Sequence, residues 1–392
     1  MRPLEGTLVV TLEHAIAAPL CTRSLADLGA RVIKIERPGS GDFARSYDRR
    51  VRGLASHFVW CNRSKESLTI DVKHPAAAQI LGRLLARADV LVQNLAPGAA
   101  ARLGLSHARL SVRHPRLVVC DISGYGDDGP YRNKKAYDLL IQSEAGLLSV
   151  TGTGEEVVKT GISIADIAAG MYAYSGILAA LLERVRTGQG RRIEVSMLEA
   201  MAEWMSYPLY YAFEGQPPPP RSGAAHATIY PYGPFRAGDG ASVMLGIQNE
   251  REWASFCASV LGQPELACDS RFDSNPKRNA ARKELDAIIG AALSAHTAEE
   301  LIGRLELAGI ANARVNTMQE LWDHPQLAAR KRWRTVASPA GAIPALLPPA
   351  TMEGVEPRMD PVPAVGEHTD AILEELGFDN EETARLRAER VV

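Results

Sequence analysis

Strand-like and helix-like segments alternate through the first third of the chain, at a spacing that leaves few folds open. Leu8–Leu12 is a short apolar run, and a helical stretch follows from about Ala17 to Leu28. Arg31–Arg37 (RVIKIER) reads as a strand, with Val32, Ile33 and Ile35 supplying β propensity. Pro75–Ala88 reads as a helix with proline at its start, Val90–Leu95 as the next strand, and Leu117–Ser123 repeats the pattern. Helices of this length between strands are crossover connections, which make the strands parallel and cover the sheet on both faces. The expected class is α/β: a Rossmann-like parallel sheet in a large domain, with a smaller α+β domain after it.

The domain limits come from composition. A long helix is expected from Asp166 to about Thr187, then a strand over Arg191–Ser196 and a helix over Leu198–Phe213. The run Gln216-Pro-Pro-Pro-Pro220 can be neither helix nor central strand and reads as a stiff linker. Beyond it, Ile229–Gly246 resembles a hairpin around Ala237-Gly-Asp-Gly240, with helices near Glu250–Leu261, Lys283–Ser294 and Ala298–Leu307. A second proline-rich stretch, Pro339 to Pro363, leads to helices at Thr369–Leu376 and Glu381–Arg390. The expected division is a large domain over 1–215, a small domain over 222–330, and a linker and C-terminal segment over 331–392 that returns to the large domain.

Composition excludes some functions. The formal net charge of −2 carries no field that would draw the chain to nucleic acid or an anionic membrane. Five scattered cysteines without a CxxC pair argue against a disulfide framework or structural zinc. No signal-peptide block opens the sequence, and no apolar stretch is read as long enough to span a membrane, so the cytoplasm is the expected compartment. A nicotinamide site would need glycines in the first strand-to-helix turn. That turn reads Glu13-His-Ala-Ile-Ala-Ala-Pro19 and has none. Yet cations recur where this sheet would present a ligand: Arg37 after the second strand, Lys73 before a helix, and Arg102 after Asn94-Leu-Ala-Pro-Gly98. Any one alone reads as solvated surface; together they point to a phosphorylated ligand.

The most informative stretch is Val158 to Gly176, where Asp166 stands before a helix rich in alanine and glycine. The plain reading of Asp166 is a helix N-cap. The chemical reading uses the same physics: a helix N-terminus favours a carboxylate in its ionised form, and small residues such as Gly161, Ala165, Ala168, Ala169 and Gly170 let a ligand approach the backbone. A carboxylate is a weak nucleophile, but a thioester supplies a good leaving group, so Asp166 suits covalent attack on an acyl thioester.

Five blocks in order carry a resemblance that spans nearly the whole chain: Leu28-Gly-Ala-Arg-Val-Ile-Lys-Ile-Glu-Arg-Pro-Gly-Ser-Gly-Asp42, Val92-Gln-Asn-Leu-Ala-Pro-Gly98, the Asp166 segment, Gly188-Gln-Gly-Arg-Arg-Ile-Glu-Val-Ser196, and Gly366-Glu-His-Thr-Asp-Ala-Ile-Leu-Glu-Glu-Leu-Gly377. With them the chain resembles the family III CoA transferases (CaiB/BaiF type), which include formyl-CoA transferase. The resemblance implies that Asp166 forms the covalent intermediate and that Asp138, one methylene shorter than the acidic residue of formyl-CoA transferase, assists turnover. It also implies that Arg37, Lys73, Asn94, Leu95, Arg102, Lys135 and Tyr137 contact coenzyme A, while Ala15 and Ile16 line the pantetheine end. No cofactor or metal is implied, coenzyme A being part of the substrate, and the fold implied is an interlaced homodimer.

The same fold hosts α-methylacyl-CoA racemases, which need a facing acid and base, typically His and Asp. Here the matching segment is Ala136-Tyr137-Asp138, and tyrosine is a poor base at neutral pH. A non-catalytic acyl-CoA binding protein is a more distant alternative. The opening segment and Asp42-Phe-Ala-Arg45 resemble members that act on C4–C5 dicarboxylic acids, which implies succinyl-CoA as donor and itaconate, mesaconate or citramalate as acceptor, or intramolecular mesaconyl-CoA transfer. A dicarboxylate keeps one carboxylate free, and that group needs a cationic partner when desolvated. His14 and Arg45 are the expected partners, with Arg49, Arg50 and Arg52 nearby.

Overall fold

Six strands form one parallel sheet: β1 (Leu8–Leu12), β2 (Arg31–Glu36), β3 (Lys65–Thr69), β4 (Val90–Gln93), β5 (Val118–Ser123) and β6 (Arg192–Ser196). They lie in the order β3-β2-β1-β4-β5-β6, with Val9 of β1 between Val32 of β2 and Val90 of β4. The chain winds outward from β1 to β3, then crosses back to β4 and winds the other way. The reversal falls between β1 and β4, and it opens a crevice where the loops leaving their C-terminal ends part. Those loops are Glu13–Ile16 and Asn94–Gly98, so the topology alone delivers both to one place.

Strand β3 has no counterpart in the sequence reading, and the reason is physical. Its sequence, Lys-Glu-Ser-Leu-Thr, has a single large apolar residue, yet Lys65 and Ser67 are buried. Their polar atoms are satisfied inside: Ser67 Oγ donates to Glu36 Oε2 at 2.6 Å, and Lys65 Nζ donates to Glu13 Oε1 at 2.6 Å. The free edge of β3 is covered by the C-terminal segment. The His368 N–H donates to the Ser67 carbonyl at 3.0 Å, Gly366 N–H to Ser67 Oγ at 2.8 Å, and Thr69 N–H to Thr369 Oγ1 at 3.0 Å. The Gly366–Thr369 block therefore closes an edge that would otherwise offer unpaired backbone groups.

The computed structural model describes residues 1–392, which divide into two units. The first is Met1–Gly146, Thr160–Ser206 and Leu327–Val392; the second is Leu147–Lys159 and Tyr207–Gln326. The limits of the second unit differ from the expected 222–330. The helix read as continuous from Leu198 to Phe213 is two, Met197–Trp204 and Ser206–Tyr211, and the division falls after Ser206, at the start of the second, rather than at the prolines. Residues 147–159 belong to the second unit, where Thr153 bridges to Ser222. That unit carries a three-stranded antiparallel sheet, Tyr232–Arg236, Ser242–Gly246 and Ala311–Arg314, whose buried face packs Val243 and Leu245 with Trp253, Phe256, Leu285 and Leu301. In the first unit, a hairpin of Trp333–Val336 and Ile343–Leu346 begins ahead of the proline-rich stretch and ends inside it, which the composition concealed.

Helix α1 (Ala17–Asp27) follows β1, helix α2 (Asp138–Glu144) follows β5, and helix α3 (Ile164–Thr187) precedes β6. By length and composition α3 could cross a membrane, which amends the sequence reading. Its small residues Ala165, Ala168, Ala169, Gly170 and Ala173 are nonetheless buried. Gly170 explains how closely it packs: a Cβ there would lie 2.6 Å from the Ala17 carbonyl oxygen. Gly170→Ala gains helix propensity but drives that methyl into backbone at the start of α1. The expected result is a loss of about 1–3 kcal/mol in denaturant unfolding, whereas a gain in stability would show that the contact relaxes freely.

Candidate active site

The loop between β1 and α1 is held at two consecutive residues. Asn94, at the end of β4, takes the His14 N–H on its Oδ1 at 2.9 Å and returns its Nδ2 to the His14 carbonyl at 2.9 Å. Ala15, one residue on, has a left-handed backbone (φ 63°) that alanine rarely adopts. Its N–H donates to Asp42 Oδ1 at 3.3 Å. Behind this loop lies a set of buried charges. Glu13 pairs with Lys34 at 3.3 Å and Lys65 at 2.6 Å, and Asp42 pairs with Lys34 at 2.8 Å. Burial pushes the Glu13 carboxyl up, but the two lysines outweigh it and bring its pKa down to about 2. Burial lowers Lys65, against the pull of Glu13, to about 8.

Asp166 lies in the first turn of α3, and the structure rejects the N-cap reading. Ser163 occupies the cap position, and its side chain makes no cap hydrogen bond. The free amides at this end are taken by Asp138, whose Oδ1 accepts from Ala165 N–H at 2.8 Å and Asp166 N–H at 3.2 Å. Asp138 Oδ2 accepts from Gln142 Nε2 at 2.7 Å. Asp138 thus caps α3 from the start of α2. The Asp166 carboxylate does not receive the benefit expected of a helix start. Burial, and then the negative charge of Asp138, push its pKa up to about 7, against a hydrogen bond from the Ala17 backbone N–H. Glu13, Glu36, Asp42 and Asp27 each face a lysine or arginine, at 3.3 Å or closer. Asp166 has a second carboxylate beside it instead, a pattern that marks a reactive site more often than a structural one.

The other expected residues fall into three groups. Arg37, Lys73, Arg102, Lys135 and Tyr137 are exposed: Arg37 directly follows β2, Lys73 comes shortly after β3, Arg102 ends a short helix after β4, and Lys135 and Tyr137 precede α2. Gly98, with φ of 73°, leaves room for the Arg102 guanidinium, whose Nη1 would stand 3.0 Å from a Cβ there. Ala15 and Leu95 are half-buried, whereas Ile16 is turned away, packed with Leu20 and Cys61. Its side chain supports the loop rather than lining it. Both polar atoms of Asn94 are engaged by His14.

Arg45 is the clearest correction. Its guanidinium is bound by Glu36 at 2.9 and 2.7 Å, donates to the Pro363 carbonyl at 3.1 Å, and lies 3.6 Å from the centre of the Phe58 ring. It is a structural cation and is withdrawn as partner of a substrate carboxylate. Arg52 similarly donates to the Ala342 carbonyl at 2.9 Å. His14 remains, half-buried, with Nδ1 3.8 Å from Asp42 Oδ1 and its ring stacked on Phe43 at 5.2 Å.

The sequence reading passed over Asp42, Phe43 and Tyr47 because it weighed only cations in this segment. The rings of Phe43 and Tyr47 meet at a tilt, 5.8 Å apart, and His57 meets Tyr47 edge-on at 5.6 Å. Burial first, then the charges of Asp42, Asp166 and Tyr137, raise the Tyr47 phenol to about 12, so it stays an O–H donor. The aromatic pair Phe43 and Tyr47, directly after the glycine turn, was the available signal.

Comparisons with known proteins give the family. A sequence model described as CoA-transferase family III matches residues 4–369. Succinyl-CoA:glutarate CoA-transferase of Mus musculus is 32% identical, over 100% of this chain and 91% of the relative. Succinyl-CoA–D-citramalate CoA-transferase of Chloroflexus aurantiacus is 31% identical, over 100% of this chain and 98% of the relative. Among solved structures, a CAIB/BAIF family protein from Brucella suis superposes with a TM-score of 0.84 at 32% identity, covering 96% of this chain and 99% of that one. With its parallel sheet, its crevice between β1 and β4 and its cation-free aspartate, this chain belongs to CoA-transferase family III.

Proposed function

We propose that the protein moves coenzyme A from an acyl-CoA to a dicarboxylic acid through a covalent intermediate on Asp166, with succinyl-CoA as donor. The observation that supports this reading most is the Asp166 carboxylate, set beside Asp138 with no cation facing it. It attacks the thioester carbonyl, forming a mixed anhydride and releasing CoA thiolate. The thiolate then attacks the aspartyl carbonyl, which frees the donor acid and leaves an aspartyl thioester. The acceptor carboxylate attacks that thioester, forming a second anhydride and releasing the thiolate again. Finally the thiolate takes the acceptor acyl group, giving the new acyl-CoA and restoring Asp166.

The residues divide this work. Arg37, Lys73, Arg102 and Lys135 offer positive charge to the phosphates, and Ala15 lies beside the pantetheine end. Tyr47 and His14 are the groups left to meet the distal carboxylate now that Arg45 is committed to the fold. The named relatives act with succinyl-CoA on glutarate and citramalate, which favours a C5 dicarboxylate here. A homodimer is the proposed assembly; Met171, Tyr172, Leu182 and Val185 leave α3 with an exposed apolar face for a second copy to cover.

The test is a panel of acceptors with succinyl-CoA, acetyl-CoA and formyl-CoA, read by mass spectrometry of the CoA products. Succinyl transfer to itaconate, mesaconate, citramalate or glutarate is expected, with activity falling by about 10⁴-fold or more in Asp166→Asn. Preference for a monocarboxylate would overturn the dicarboxylate claim, and deuterium uptake at C2 of a 2-methylacyl-CoA without exchange would indicate a racemase. Arg37→Ala and Arg102→Ala should each raise KM for succinyl-CoA about tenfold with little change in kcat, because phosphate contacts change little between ground and transition states.

The raised pKa sets two pH predictions. A carboxyl that ionises at about 7 rather than its ordinary 3.8 makes the native state bind protons that the unfolded chain has already lost between those values. The cost to stability is absent below the lower value, grows through that window, and persists above it. Asp166→Asn should therefore be more stable than wild type at pH 8, with the difference vanishing near pH 4. Because the ionised form attacks, kcat/KM should rise with pH through an apparent pKa near 7, and Asp138→Asn should move that rise to lower pH.

A further inference from the structure

Asp42 closes the Gly39–Asp42 turn, a motif to which the reaction above gives no task, and its side chain is fully buried. The turn is built to deliver it: Gly41 has φ of 66°, and a Cβ there would stand 2.8 Å from Glu36 Oε1, the atom that accepts the Asp42 N–H at 2.8 Å. Oδ2 of Asp42 is fixed by Lys34 Nζ at 2.8 Å, and Lys34 also reaches the Glu13 carbonyl at 3.4 Å. Oδ1 is thereby aimed at the loop, where it accepts from Ala44 N–H at 2.9 Å and Ala15 N–H at 3.3 Å and faces His14 Nδ1 at 3.8 Å. Ala15 stands in the left-handed region at φ 63°. An alanine leaves that conformation readily unless something holds it. Two residues later, Ala17 lies against α3, where a Cβ on Gly170 would stand 2.6 Å from its carbonyl oxygen, and Ile167, the neighbour of Asp166, packs with Ala15 on the cluster of Ile16, Leu20 and Cys61.

We propose that Asp42 is a positioning residue for the nucleophile: by holding the Ala15 N–H it locks the strained turn that seats this loop and the start of α1 against the first turns of α3, where Asp166 stands. Lys34 is the second member of the device, since it orients the carboxylate. The proposal rests on Asp166 as the acyl acceptor, and it differs from a packing role in what it predicts for Ala15. If Asp42 matters because it enforces a left-handed Ala15, a glycine at 15, which adopts that conformation freely, lowers the need for it. If Asp42 matters only as the partner of Lys34 in the core, glycine at 15 changes nothing.

The experiment is single-turnover acylation of the full-length enzyme at saturating succinyl-CoA, read as the mass of the intact protein after rapid quench, with CoA affinity and circular dichroism measured alongside. Asp42→Ala should slow acylation about 100-fold while CoA affinity changes less than about threefold, since small misplacements at a reacting centre have effects of that size. Adding Ala15→Gly to Asp42→Ala should restore at least about fivefold of the loss. The pair Asp42→Asn and Asp42→Asn with Ala15→Gly keeps the side-chain volume and carries the same comparison if Asp42→Ala does not fold. Acylation of a folded Asp42 variant at the wild-type rate overturns the proposal, as does a slowed variant that glycine at 15 does not rescue. Absence of any adduct on wild type would instead remove the nucleophile reading, so the two failures are distinguishable.

Discussion

The contact on which the site depends is backbone against backbone: Gly170 of α3 lies where any larger residue would strike the Ala17 carbonyl at the start of α1. Two helices that follow different strands are thereby brought together near their first turns. A carboxylate one turn before Gly170 then stands beside the loop leaving β1. The parallel sheet supplies the coarse placement, because the reversal of winding between β1 and β4 parts their loops. Glycine supplies the last few ångströms. Without the small residues of α3, the turns that carry Asp166 could not lie this close to the start of α1.

Charge distinguishes this carboxylate from its neighbours. Lys34, Lys65 and Arg45 lie behind the site, yet each is committed to Glu13, Asp42 or Glu36. A buried ion set of this kind contributes little net stability, because desolvation offsets most of the attraction. Its use here is geometric. It fixes the β1–α1 loop from below and leaves no free cation to quench Asp166. Asp138 adds to the effect by taking the helix amides that would otherwise favour an ionised Asp166. The result is a carboxyl poised near neutrality, which stays available to form and break bonds.

Much of this was legible in the sequence. The strand and helix spacing predicted the sheet, and β1 was placed at Leu8–Leu12 without error because its apolar run has one reading. Asp166 stood out for its alanine- and glycine-rich surroundings. What stayed hidden has a common cause: residues whose burial is made possible by a distant partner. Lys65 and Ser67 look like loop residues until Glu13 and Glu36 are known to meet them, so β3 went unseen. Arg45 looked free for substrate because nothing in the sequence says that Glu36 and Phe58 face it. The pKa of Asp166 was expected to fall, since the sequence places it at a helix start but cannot show that Asp138 takes the amides first.

The central claim is that Asp166 is the acyl acceptor. The most direct measurement is peptide mapping of the enzyme after brief reaction with succinyl-CoA and trapping with hydroxylamine or borohydride. The account predicts a modified carboxyl on the peptide that contains Asp166 and none in the Asp166→Asn variant. Modification of Asp138, Tyr47 or any other residue, or a labelled peptide that survives the substitution, would contradict it.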